Sequence, residues 1–224
     1  MFFAAPFTAW AEPERYDFPV LGRKEKPLAS LLLPPLSSMP SLPSIPPLAA
    51  NAKRNEAEQS EAQQNEARRK SIAALLQKYN KKLDDNKSRQ YADLIIRTSR
   101  KFGQDPFVIA AVVVNESSAK HDAVSRGGDY GLMQVRWRVH RKKIQKKYPH
   151  IDEAKDMLIP ENNLLVGTEI FSGYHATAKQ NVRDTLMFYS AGNKRLADKV
   201  FAVLSQLEKS YLVHLKNLKN LRKS

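Results

Sequence analysis

Hydrophobic positions are spread unevenly along this chain, and the unevenness divides it. From Asn51 to Lys70 nearly every residue is polar, including Glu56, Glu58, Glu61, Gln63, Gln64, Glu66, Arg68 and Arg69. Helix formers abound there, but no apolar stripe exists to bury, so 51–71 reads as a solvated helix or linker. At Ile72 the pattern changes. Ile72, Leu75, Leu76, Tyr79 and Leu83 recur at helical spacing. A second helix is expected from about Ser88 to Lys101, with Tyr91, Ile95, Ile96 and Thr98 setting its period and Gly103 ending it.

Asp105-Pro106 is a helix start, a capping carboxylate followed by a proline whose fixed φ suits the first turn. The helix it opens, about 106–117, is apolar nearly all round through Val112-Val113-Val114 and so belongs at the centre of a core. The valine run also fits a buried strand. Residues 160–178 read as helical after Pro160, 181–203 as a helical pair, and 204–221 as an amphipathic helix carrying Leu204, Leu207, Tyr211, Leu215, Leu218 and Leu221. No segment alternates convincingly as a strand. The expected fold class is all-α, with a disordered proline-rich N-terminal extension.

That extension is set apart by composition. Residues 27–47 hold seven of the thirteen prolines, among serine and leucine. Proline at this density removes backbone donors and fixes φ, which predicts a semi-rigid spacer. The start, Phe2 to Ala11, is short and apolar, and Ala9-Trp10-Ala11 resembles a signal-peptidase site, although no positive segment precedes it. The expected organisation is a truncated export-signal remnant at 1–11, a proline-rich linker at 12–50, a polar helix or linker at 51–71, a catalytic domain at 72–205 and a basic amphipathic helix at 206–224. No run approaches the roughly 20 apolar residues a membrane span needs.

Charge narrows the partners. The formal net charge is +14, and residues 51–224 carry all of it. Such a body suits an anionic partner: nucleic acid, anionic lipid or an acidic polymer. There is no cysteine, which excludes disulfides, a thiol nucleophile and thiolate metal sites. The five histidines form no His-x-x-x-His pair, so no metal and no cofactor are expected.

The chemistry-bearing residues are concentrated in a short stretch. Glu116-Ser117 follows the valine run, then come Ala123-Val124-Ser125 and Gly128-Asp129-Tyr130-Gly131-Leu132-Met133-Gln134. A carboxyl beside a dry wall stays protonated near neutral pH, as an acid catalyst for breaking a sugar–sugar bond requires. A glycine-bearing turn brings backbone close to a ligand. With Asn163 to Gly167 and Tyr189-Ser190-Ala191-Gly192 downstream, these motifs resemble, in order and over about 72–205, the goose-lysozyme-like lytic transglycosylases of the soluble (SLT) type. The chain departs from that pattern at Ala119, His121, Asp129, Arg136-Trp137 and Ser190.

The resemblance implies a lysozyme-like helical domain acting on peptidoglycan glycan strands in the bacterial periplasm or cell envelope. It assigns general-acid chemistry to Glu116 and substrate contacts to Ser117, Ser125, Met133, Gln134 and Tyr189. The Tyr189 hydroxyl is expected to hold the catalytic carboxyl. The residues alone leave other roles open: turn stabilisation for Ser125 and Gln134, packing for Met133, a core hydroxyl for Tyr189. A water-using hydrolase with Asp122 or Asp129 placing the water, and a non-catalytic binding module, also stand. The basic run Arg136 to Lys147 reads as a solvated helix face or a guide for an anionic wall polymer. Nucleic acid is not expected, since no nucleic-acid fold signature accompanies the run. An envelope protein complex is a further candidate partner.

Overall fold

The structure is a computed structural model and describes residues 48–220, with side chains placed from Glu58 onward apart from Lys194. The export-signal remnant and nearly all of the proline-rich linker lie outside the described residues. The described chain is mainly helical: α1 (Leu48–Tyr79), α2 (Asp85–Lys101), α3 (Pro106–Ser117), α4 (Trp137–Lys147), α5 (Pro160–Thr177), α6 (Val182–Tyr189) and α7 (Lys194–Asn220). Two short strands, β1 (Asp129–Tyr130) and β2 (Val135–Arg136), form an antiparallel ribbon with Asp129 opposite Arg136. No helix among the described residues is long and apolar enough to cross a membrane.

α3 is the buried axis on which the site depends. Asp105 accepts the Phe107 N–H (2.8 Å), Pro106 occupies the first turn, and Ser118 closes the helix in a left-handed conformation with its N–H on Val114. Every residue from Val108 to Val114 is buried, and α1, α2 and α7 pack around them. Helix is therefore the correct reading of the valine run. A helix apolar on all sides buries every face against the helices around it. α2 is capped by Asp84, which accepts from Lys87 N (2.7 Å), and turns Tyr91, Leu94, Ile95 and Thr98 inward.

Two helices run longer than the hydrophobic pattern predicts. α1 is unbroken from Leu48, where the pattern separates a polar stretch ending near residue 71 from a helix starting at Ile72. Its early residues are good helix formers, and elongating an existing helix costs far less than nucleating one. α7 is likewise continuous through 203–206, because its stripe of Leu196, Val200, Val203 and Leu207 never loses register. α1 and α7 pack antiparallel: Lys78 bonds Gln206 (2.7 Å), and Arg68 lies over the Tyr211 ring (5.9 Å). The ribbon is a further difference, since two-residue strands are too short to show alternation.

Candidate active site

Glu116 sits one residue before the end of α3 and opens into a cleft of about 410 Å³. The cleft is walled by β1 and β2 on one side and by α4, α5, α6 and α7 on the others, through residues such as Val139, Ile170, Tyr174, Phe188 and Leu196. The carboxyl accepts no hydrogen bond from any described residue. Burial therefore raises its pKa from 4.5 to about 7, and the negative charge of Asp129 adds to the effect. A carboxyl poised at neutral pH with no partner is suited to giving up a proton and taking one back.

Asp129 is the second carboxylate of the cleft, and its environment pushes it the other way. Arg136 grips it with two hydrogen bonds, Nε to Oδ1 (2.6 Å) and Nη2 to Oδ2 (3.0 Å), and Ser125 Oγ donates a third (3.0 Å). The Arg136 bonds, chiefly, hold the acid below its usual range. The cleft thus pairs a carboxyl whose pKa is raised toward neutrality with one whose pKa is lowered.

The glycine loop is built from within. Ser125 Oγ accepts from Gly127 N (3.2 Å) and Asp129 N (3.0 Å), closing the turn, and it does not line the cleft. Gly131 has φ +73°, and a β-carbon there would collide with Asn163 Nδ2 and the Met157 carbonyl oxygen. Only glycine satisfies both requirements. Asn163, fully buried on α5, clamps the loop: its Nδ2 donates to the Tyr130 and Met157 carbonyls (both 2.8 Å), and its Oδ1 accepts from Met133 N (2.7 Å). Its side chain is the functional part that motif reading missed. The signal was present, an asparagine at the start of an apolar helix, but its loop partners Tyr130 and Met133 are 33 and 30 residues away in sequence.

Of the expected substrate contacts, Gln134 and Tyr189 line the cleft with Glu116, while Ser117, Ser125 and Met133 do not. The Ser117 hydroxyl lies within hydrogen-bond range of the Val113 and Leu132 carbonyls (3.0 and 2.8 Å), tying α3 to the loop. Met133 is fully buried against Gly167, its sulfur 3.7 Å from Thr168 Oγ1. Gln134 donates through Nε2 to the Ala123 and Gly131 carbonyls (3.2 and 3.0 Å), and its Oε1 has no described donor. Tyr189 corrects the expectation most directly. Its hydroxyl donates to the Met133 carbonyl (2.7 Å), not to Glu116. A backbone carbonyl offers that hydroxyl a fixed acceptor, so the phenol braces the loop and not the acid. Burial and then the neighbouring Glu116 push its pKa well above 10.

The family model of the transglycosylase SLT domain matches residues 93–211. The chain belongs to the SLT transglycosylase family. The match spans α3, the glycine loop, Asn163 and Tyr189, which are the parts that form the cleft. No curated protein matches the chain. As an SLT transglycosylase it carries a lysozyme-like domain of a type that acts on peptidoglycan.

Proposed function

We propose that this protein is a peptidoglycan lytic transglycosylase with Glu116 as its only proton-transfer residue. It cleaves the β-1,4 bond between N-acetylmuramic acid and N-acetylglucosamine without water. Protonated Glu116 donates to the glycosidic oxygen as the C1–O bond breaks, and the developing charge at C1 is met by the sugar's own acetamido oxygen. The 6-hydroxyl of the same muramyl ring then attacks C1, Glu116 takes that hydroxyl's proton, and a 1,6-anhydro ring closes. The proton lent in the first step returns in the second. The free Oε1 of Gln134 is placed to accept an acetamido N–H, and exposed Phe188 and Val139 offer apolar surface to sugar rings. The observation that carries this reading is the unpartnered, half-buried Glu116 carboxyl with its pKa raised to about 7. Export to the periplasm or cell envelope, where the polymer lies, follows from the same reading; assistance to an envelope-assembly or secretion machine is read from the proline-rich N-terminal sequence.

A second reading rests on Asp129. An ionised carboxylate in the same cleft as an acid is the pairing by which many glycosidases activate water or stabilise a cation. Asp122, the other sequence candidate for that task, is exposed and outside the cleft. The product decides between them. Purified protein incubated with peptidoglycan should release muropeptides lighter by one water than hydrolytic fragments, and the Glu116→Gln form should release none. Fragments with free reducing ends would transfer the reading to hydrolysis.

A further inference from the structure

Three basic side chains of the cleft are not accounted for by bond cleavage, which needs only an acid and a hydroxyl. Arg136 lines the cleft from β2, His140 from the first turn of α4, and Lys199 from α7. We infer that these three form a carboxylate-binding subsite that selects glycan strands whose muramyl residues carry a free carboxylate, on the lactyl group or on an attached peptide. The inference rests on the peptidoglycan reading above and names the feature of that polymer which this cleft prefers.

Arg136 is held in a geometry suited to this task. Asp129 occupies its Nε and Nη2, which fixes the guanidinium plane and leaves both Nη1 hydrogens uncommitted. A fork already ordered by one carboxylate loses little further freedom on meeting another. His140 makes no hydrogen bond to a described residue. Its titration is depressed by burial, then by Lys143 and Arg136, so at neutral pH it is an uncharged ring with an N–H to donate. The positive field that depresses it is the field an incoming anion meets. Lys199 is exposed and has no acidic partner among the described residues.

The opposing charges in the cleft do not cancel those of Arg136 and Lys199. Glu116 is protonated below about pH 7, and Asp129 offsets one cation only. A carboxylate therefore enters a net positive mouth. A neutral N-acetylglucosamine oligomer supplies rings and acetamido groups but nothing for Lys199. Of the three residues, Arg136 stands where the chain departs from the pattern it resembles.

The test uses the Glu116→Gln protein, which retains the cleft without turning substrate over, and measures affinity for three probes. N-acetylglucosamine oligomers carry no carboxylate, amidase-stripped strands carry only the lactyl carboxylate, and intact strands carry those of the peptide. Adding Lys199→Gln, an exposed change with no described partner to orphan, should weaken binding of at least one anionic probe by about fivefold at low salt. The loss should shrink as salt rises, and the neutral oligomer should change by less than about twofold. A loss confined to intact strands assigns the ligand to the peptide, a loss confined to stripped strands assigns it to the lactyl group, and a loss in both shows that the subsite takes either carboxylate. Unchanged affinity for both anionic probes, or an equal loss for the neutral oligomer, overturns the subsite. Digestion of sacculi by the wild-type protein separates the two ideas. Anhydro products with flat probe binding remove the subsite alone, and absence of any product removes the peptidoglycan reading itself.

Discussion

On one side of the cleft, Glu116 leaves a helix whose Val112, Val113 and Val114 are at most 2 % exposed and which offers its carboxyl no partner. On the other, Ala123 to Arg136 hold their shape through polar bonds among themselves and to Asn163. The same kind of group behaves oppositely in the two places: Glu116 is pushed up to about 7, while Asp129 is held below its ordinary range. Desolvation alone favours the neutral acid, whereas hydrogen bonds to the charged form favour the carboxylate. The difference shows how one cleft can hold a proton donor beside a fixed negative charge.

The largest effect should come from neutralising the apolar side's only chemistry. Glu116→Gln should lower the rate of glycan cleavage by at least about a hundredfold, measured by release of soluble fragments from sacculi. It should also stabilise the protein. The folded-state pKa of Glu116 lies above 4.5, so wild-type stability is full below that value and declines as pH rises through about 7. Glutamine suffers no such decline. Its advantage in denaturant unfolding should be absent at pH 4 and reach up to about 3 kcal/mol at pH 8.

The polar side breaks by a different route. Asn163→Ala removes three hydrogen bonds and leaves the Met133 N–H and the Tyr130 and Met157 carbonyls without them. A cost of about 3 kcal/mol in unfolding free energy is expected, together with lost activity, although Asn163 is absent from the cleft lining. The smallest effect tests the link between the two sides. Asp129→Asn keeps the loop's shape but deletes the charge that helps keep Glu116 protonated, so the alkaline limb of the pH–rate profile should move to lower pH. A limb that stays in place would show that the valine wall acts without help.

Legibility in the sequence followed the range of the forces involved. α3 matches the expected 106–117 because Asp105 and Pro106 encode its start locally, and Pro160 does the same for α5. Glu116 was legible because its drying agents precede it directly. The unbroken α1 and α7 were not, since α1 extends through polar helix formers with no apolar stripe to mark them, and the α7 stripe runs on across the expected break. Nor were the orientations of Ser117 and Tyr189. A hydroxyl bonds whichever acceptor the tertiary structure brings near, and for both residues that acceptor is a loop carbonyl distant in sequence.

The central claim is that a dry, unpartnered setting keeps Glu116 protonated near neutral pH. It is tested most directly by following the Glu116 side-chain carboxyl carbon through a pH titration by nuclear magnetic resonance, with the Glu116→Gln protein identifying the signal. The account predicts a midpoint near 7 in the ligand-free protein. A midpoint close to the ordinary 4.5 would contradict it, because the carboxyl would then be ionised at neutral pH and unable to donate.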